Sequence, residues 1–161
     1  MDMFSAKCRG NYYPSAFITV DEQLVSFRGR CPFKMFIPSK PGKYGMKVWA
    51  VCDPLSAYCI NLQPYTGRAQ GAVRDVGQGS RVILELTDHL TGSGCHITAD
   101  NFFTNITLVR SLLGRRMTCT GAIRKSKGEV PQEFLPNHQQ PVSSSLFGFQ
   151  GHLSMVSYIP K

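Results

Sequence analysis

The sequence predicts an α/β domain with helices packed on a mixed sheet. Short β-rich runs and amphipathic helical runs alternate in the order β, β-hairpin, α, β, α, β, the pattern of a sheet covered by helices. The composition is globular, with 42% hydrophobic residues and with Gly and Pro scattered rather than concentrated. A chain of 161 residues is long enough to bury the core of one ordinary domain and too short for two.

The elements follow in order. Residues 16–27, AFITVDEQLVSF, form a β-rich run interrupted by Asp21-Glu22-Gln23. Pro32, Pro38 and Pro41-Gly42 then mark an extended, turn-rich segment. MKVWAV (46–51) and YCINL (58–62) read as strands joined at an Asp53-Pro54 turn, hence a hairpin. Residues 66–80 are a glycine-rich polar loop, whose G-Q-G lacks the third glycine of a dinucleotide fingerprint. Ser80 is placed to cap the helix RVILELTDHL, with Val82, Ile83, Leu86 and Leu90 on one face and Gly92 and Gly94 ending it.

A short strand, Cys95 to Ala99, delivers Asp100. Thr104 or Asn105 caps a second helix with Ile106, Val109, Leu112 and Leu113 as its apolar stripe and Gly114 at its end. MTCTGAI (117–123) is a further strand. Beyond Lys125 a polar, proline-bearing segment leads to two strand-like pieces, LFGFQ and LSMVSYI.

Eighteen Lys and Arg against ten Asp and Glu give a net charge of +8. The excess is concentrated: no acidic residue falls between Glu22 and Asp53, where Arg28, Arg30, Lys34, Lys40, Lys43 and Lys47 all lie. Such a stretch suits phosphate contact, with release of condensed counterions, and equally suits a solvated cationic surface. No apolar run approaches the roughly 18 residues of a membrane span, and the first ten residues lack the apolar core of a signal peptide, so no membrane partner is expected. The six cysteines form no C-x-x-C pair and the four histidines no zinc spacing with them, so reduced thiols and no zinc are expected within this chain.

Asp is depleted in strands, because its side chain competes for backbone hydrogen bonds. Asp21, after Ile18-Thr19-Val20, and Asp100, after Ile97-Thr98-Ala99, therefore invite an explanation. One reading makes them turn and cap residues. The other places their strands side by side, so that both carboxylates meet at one spot and hold Mg²⁺, a hard cation that takes carboxylate oxygen.

The stretch VDEQLVSFRGRCPFKMFIPSKPGKYG (Val20 to Gly45) resembles the piggyBac transposase family. So do ITADNFFT (Ile97 to Thr104) and TGAIRKSKGEVP (Thr120 to Pro131), and the resemblance runs from about Tyr12 to the end of the sequence. It implies a ribonuclease-H-like catalytic core, cut-and-paste DNA transposition at TTAA sites, three catalytic aspartates, divalent metal (Mg²⁺ or Mn²⁺), nuclear localisation and a possible second transposase chain. By motif, Asp21 in V-D-E-Q-L would be the first catalytic and metal-binding aspartate and Asp100 in A-D-N-F-F-T the second. Arg28, Arg30, Lys34, Lys40, Lys43 and Lys47 would lie where DNA phosphates pass.

The resemblance also divides the chain into a catalytic core over 1–127, incomplete at its C-terminal end, and the start of a β-rich insertion over 128–161. The family's third aspartate has no counterpart: after Asp100 the only acidic residues are Glu129 and Glu133, in a loop-like segment. The expectation is therefore a transposase-derived domain that is inactive by itself, or alternatively a non-catalytic DNA-binding or interaction module.

Overall fold

A computed structural model describes residues 2–67, 77–136 and 140–161. It comprises two compact units, Met1–Ile123 and Arg124–Lys161. The expected glycine-rich loop falls mostly outside the described residues.

The first unit opens with helix α1 (Asp2–Gly10), followed by strand β1 (Phe17–Ser26), the short β2 (Met35–Phe36), and the hairpin β3 (Tyr44–Asp53) and β4 (Tyr58–Pro64). Helix α2 (Gln78–Leu86) leads through a 3-10 turn to β5 (His96–Ala99), and helix α3 (Ile106–Gly114) leads to β6 (Thr118–Gly121). In the sheet β3 runs antiparallel to β1, β1 parallel to β5, and β5 parallel to β6; β2 and β4 pair with successive parts of β3. An antiparallel meander joined to parallel strands through helical crossovers is the mixed sheet the sequence predicts.

Strand alternation decides what each face carries. In β1, Ile18 and Val20 are buried; in β3, Trp49 and Val51; in β5, Ile97 and Ala99. These residues form one core with Val82, Ile83 and Leu86 of α2 and Leu108 and Leu112 of α3. On the other face, Phe17, Thr98, Thr118 and Thr120 are exposed, and His96 Nδ1 lies 2.8 Å from Thr118 Oγ1.

Three details of the helices differ from expectation, the first being that α2 ends at Leu86, with Leu90 in the 3-10 turn that follows. Ser80 does not cap α2, which starts at Gln78 behind Gly77, a glycine in the left-handed conformation with φ 94°. The reason is packing: a Cβ on Gly79 would stand 2.6 Å from Phe102 O and 2.8 Å from Phe103 Cα, so the helix start docks directly on another backbone. The Ser80 hydroxyl instead accepts a 2.6 Å hydrogen bond from Asn105 Nδ2. In α3 the cap is Asn105, whose Oδ1 accepts from Leu108 N at 2.7 Å. Its buried residues are Leu108 and Leu112, while Leu113 is exposed. Leu108 and Leu112, one helical turn apart, share the face that joins the core.

Helix α1 was not legible as an element. It docks on β4, with the Ser5 hydroxyl donating to Leu62 O and the Tyr58 hydroxyl donating to Cys8 O. The segment after it is pinned by Asp53, which is fully buried rather than a plain turn residue. Its carboxylate accepts from Ser15 N (2.7 Å), Tyr12 Oη (2.9 Å) and Leu55 N (2.9 Å).

The second unit contains a 3-10 turn at Gln132–Phe134 and an antiparallel hairpin, β7 (Ser145–Gln150) with β8 (Leu153–Tyr158). Gly148 lies under the Phe134 ring.

Candidate metal centre at the ends of two parallel strands

The parallel ladder between β1 and β5 runs Phe17 with His96, Ile18 with Ile97, Thr19 with Thr98 and Val20 with Ala99. Asp21 and Asp100 are the next residues on each chain. Neighbouring strands lie about 4.8 Å apart, and residues aligned across a ladder share a face. Asp21 continues the face of Thr19, away from the helices, and both carboxylates are exposed. Each acid thus follows two buried apolar residues, Ile18 and Val20 or Ile97 and Ala99, that are paired across the ladder.

Each acid is held locally. Asp21 Oδ1 accepts from Glu22 N at 2.7 Å, inside a strand that stays paired to β3 through Asp21 with Ala50 and Glu22 with Trp49. Asp100 begins a tight turn: its Oδ1 accepts from Phe102 N at 2.8 Å, and its carbonyl accepts from Thr104 N (3.1 Å) and Thr104 Oγ1 (2.8 Å). Phe103 is wholly buried beneath the turn. Gly121 of β6 has no room for a Cβ, because Thr104 Oγ1 and Ala99 O occupy that space. Each residue of the D-N-F-F-T-N run after Asn101 thus has a packing or capping task that fixes where Asp100 stands.

An oxygen-only pair of exposed carboxylates fits a hard divalent cation that keeps several waters. Among the described residues no group of three His, Cys, Asp or Glu side chains is placed to share an ion.

The basic segment leaves β1 after Ser26 and returns at Tyr44 as an ordered loop. Ile37 N donates to Lys43 O (2.7 Å), Lys43 N to Lys40 O (3.0 Å), and the Phe36 and Tyr44 rings pack 4.7 Å apart. Arg28, Arg30, Lys34 and Lys43 are exposed on it, and Lys34 Nζ donates to Gly29 O. Lys40 and Lys47 are placed differently. Lys47 Nζ pairs with Glu22 Oε2 at 2.8 Å, with its side chain only 14% exposed, and Lys40 Nζ lies 3.8 Å from Glu22 Oε1. Sequence reasoning missed Glu22 as their partner. The signal was present in M-K-V-W-A-V, where Lys47 alternates with Trp49 and Val51 and so shares the core-facing side of β3.

The whole chain, residues 1–161, matches the family model described as Transposase IS4. The chain belongs to that transposase family. Over 122 residues it is 32% identical to the human PiggyBac transposable element-derived protein 3, covering 73% of this chain and 20% of that protein. It is equally similar to the human Chimeric ERCC6-PGBD3 protein, of which it spans 11%. A solved piggyBac transposase synaptic complex with hairpin DNA contains a chain that matches 99% of this one with a TM-score of 0.89 and 44% identity. The present chain spans 34% of that structure's chain and about a fifth or less of the two human relatives. The fold is therefore ribonuclease-H-like, and this is a piggyBac-type, transposase-derived domain. No helix among the described residues is long and apolar enough to cross a membrane.

Proposed function

We propose that Asp21 and Asp100 are the catalytic carboxylates of this transposase-derived domain and together hold one divalent cation, Mg²⁺ or Mn²⁺. The observation that supports this most is their equivalent position, one residue past Val20 with Ala99 on adjacent parallel strands. When bound between such carboxylates, a divalent ion supplies charge stabilisation for phosphodiester displacement. The protein's own part is to hold two negative oxygens in one place and to leave them open to solvent and substrate.

The substrate class is DNA, in line with the hairpin DNA of the similar synaptic complex. Exposed Arg28, Arg30, Lys34 and Lys43 offer phosphate contacts; the charges of Lys40 and Lys47 are already shared with Glu22. The family's reaction is strand cleavage and transfer at TTAA sites, in the nucleus, with a second transposase chain as partner. After Asp100 these 161 residues hold no further aspartate, and the later acids, Glu129 and Glu133, fall in the second unit, for which we propose the role of the start of a β-rich insertion. Two carboxylates leave a two-ion centre short of a ligand. Residues 1–161 taken alone would bind DNA and one ion, and strand transfer would need a further acid ligand.

The test is a strand-cleavage assay of the purified chain on TTAA-containing DNA with Mg²⁺ or Mn²⁺, alongside DNA binding across a salt series. Binding that weakens steeply with salt, without cleavage, supports the proposal. Metal-dependent cleavage abolished by Asp21→Ala would overturn the inactivity of the isolated chain. Cleavage or ion binding indifferent to Asp21 and Asp100 would overturn the site.

A further inference from the structure

Asp21 is still paired with Ala50 of β3, whereas Asp100 lies just beyond the last register pair of β5, so the pairing that fixes Asp21 does not fix its partner. Besides the packing of the turn itself, one further contact links it to β1. Glu22, next to Asp21 but facing the helix side, receives Lys47 Nζ at 2.8 Å. The same ammonium stands 4.9 Å from the ring centroid of Phe102 and 5.5 Å from that of Trp49. Phe102, in turn, donates its backbone N–H to Asp100 Oδ1. One connected path thus runs from the first acid's strand, through Glu22, Lys47 and Phe102, to the second acid's carboxylate.

We propose that Lys47 is a positioning residue that clamps the Asp100 turn to β1 and so sets the placement of Asp100 relative to Asp21, rather than a phosphate contact. The inference rests on the reading of the two aspartates as an ion site. Three features favour a clamp over a chance surface pair. Lys47 is largely removed from solvent, where an ion pair and a cation–π contact are screened least. Its four-carbon stem runs along the core face of β3 beside Trp49, which costs the ammonium its freedom. Lys40 Nζ also lies 3.8 Å from Glu22 Oε1, so the carboxylate keeps a counter-charge when Lys47 alone is changed.

The experiment is amide hydrogen exchange together with a Mn²⁺ titration of the full chain, comparing wild type, Lys47→Met, Lys47→Arg and the double variant Glu22→Gln/Lys47→Met. In Lys47→Met the Phe102 amide is expected to exchange about tenfold faster, the scale of one desolvated cation–π contact, while the Val51 amide is unchanged. Mn²⁺ affinity should fall several-fold in parallel. Lys47→Arg should restore both, because a guanidinium can pair with Glu22 and stack on Phe102. Should Lys47→Met lose global protection, the double variant decides, since it leaves no buried charge unpaired. Phe102 exchange at the wild-type rate in a folded variant lacking the Lys47 charge overturns the clamp. An Asp21→Asn control that leaves Mn²⁺ affinity intact overturns the ion site instead, with the exchange data still deciding on Lys47.

Discussion

Asp21 and Asp100 each follow by one residue the last pair of the β1–β5 parallel ladder, Val20 with Ala99. Both side chains are exposed, so neither carboxylate contributes through burial. Asp21→Asn and Asp100→Asn are therefore expected to change folding stability by less than about 0.5 kcal/mol. Asn at position 100 can still accept from Phe102 N. Divalent-ion affinity should nevertheless fall more than about tenfold, since a unit charge on an oxygen ligand is lost. Thermal unfolding with and without Mn²⁺ checks both halves of this expectation.

The close approach of α2 to the Asp100 turn gives a second test. Gly79→Ala places a Cβ 2.6 Å from Phe102 O and 2.8 Å from Phe103 Cα, with backbone rather than a flexible side chain in the way. A loss of about 2 kcal/mol in urea denaturation is expected, as for an overpacked core. A mutation on a helix should then also weaken ion binding, because the turn it displaces carries Asp100.

Asp53 supplies a pH dependence. Its hydrogen bonds, that from Ser15 N foremost, hold its pKa at about 2 against an ordinary 3.8. A folded pKa below the unfolded one stabilises the protein above the unfolded value, and the gain disappears as pH falls from about 4 towards 2. Asp53→Asn should therefore melt below wild type at pH 7, and the gap should shrink across that acid window. A gap of constant size down to pH 2 would count against an ionised Asp53 in the folded protein.

The six thiols should differ in reactivity. Cys52 and Cys59 face one another across β3 and β4. A hydrogen bond from Cys59 lowers the Cys52 pKa to about 7, whereas burial pushes Cys119 up to about 11. At pH 7.5 Cys52 is expected to be alkylated by iodoacetamide well before Cys119, since the thiolate is the reacting form. Peptide mapping of partly modified chain gives the order directly.

Charge neutralisation separates the basic residues into two classes. Arg28→Gln or Lys43→Gln should each lower the slope of log affinity for DNA against log salt by about 1. Lys47→Gln should leave the slope nearly unchanged, because its largely buried ammonium already faces Glu22.

Much of this was legible in the sequence for physical reasons. Ile18 and Val20 flank Thr19, and Ile97 and Ala99 flank Thr98, so those strands and their buried faces could be read directly, whereas Trp49 and Val51 stand in the continuous apolar run 48–52, which marks a strand but not its face. The two aspartates could be picked out because Asp is out of place at the end of such runs. Helix α1 could not, since its stability comes from docking on β4 rather than from an apolar stripe. The start of α2 was misplaced because Gly79 meets a backbone distant in sequence. Asp53 and Lys47 look like a turn residue and a surface cation until their partners, Ser15 and Glu22, are brought alongside by the fold.

The parallel pairing of β1 with β5 has a consequence for the order of assembly. β1 can pair with β3 soon after both emerge, through the comparatively short basic loop. β5 joins only after the β3–β4 hairpin and α2 have been laid down between them, and such distant pairing bears the larger loop-closure cost. The two acids therefore come together late. Nascent, partly folded or nicked forms are therefore expected to present the cationic loop before the proposed ion site is assembled, so that the proposed association with DNA matures ahead of the proposed chemistry.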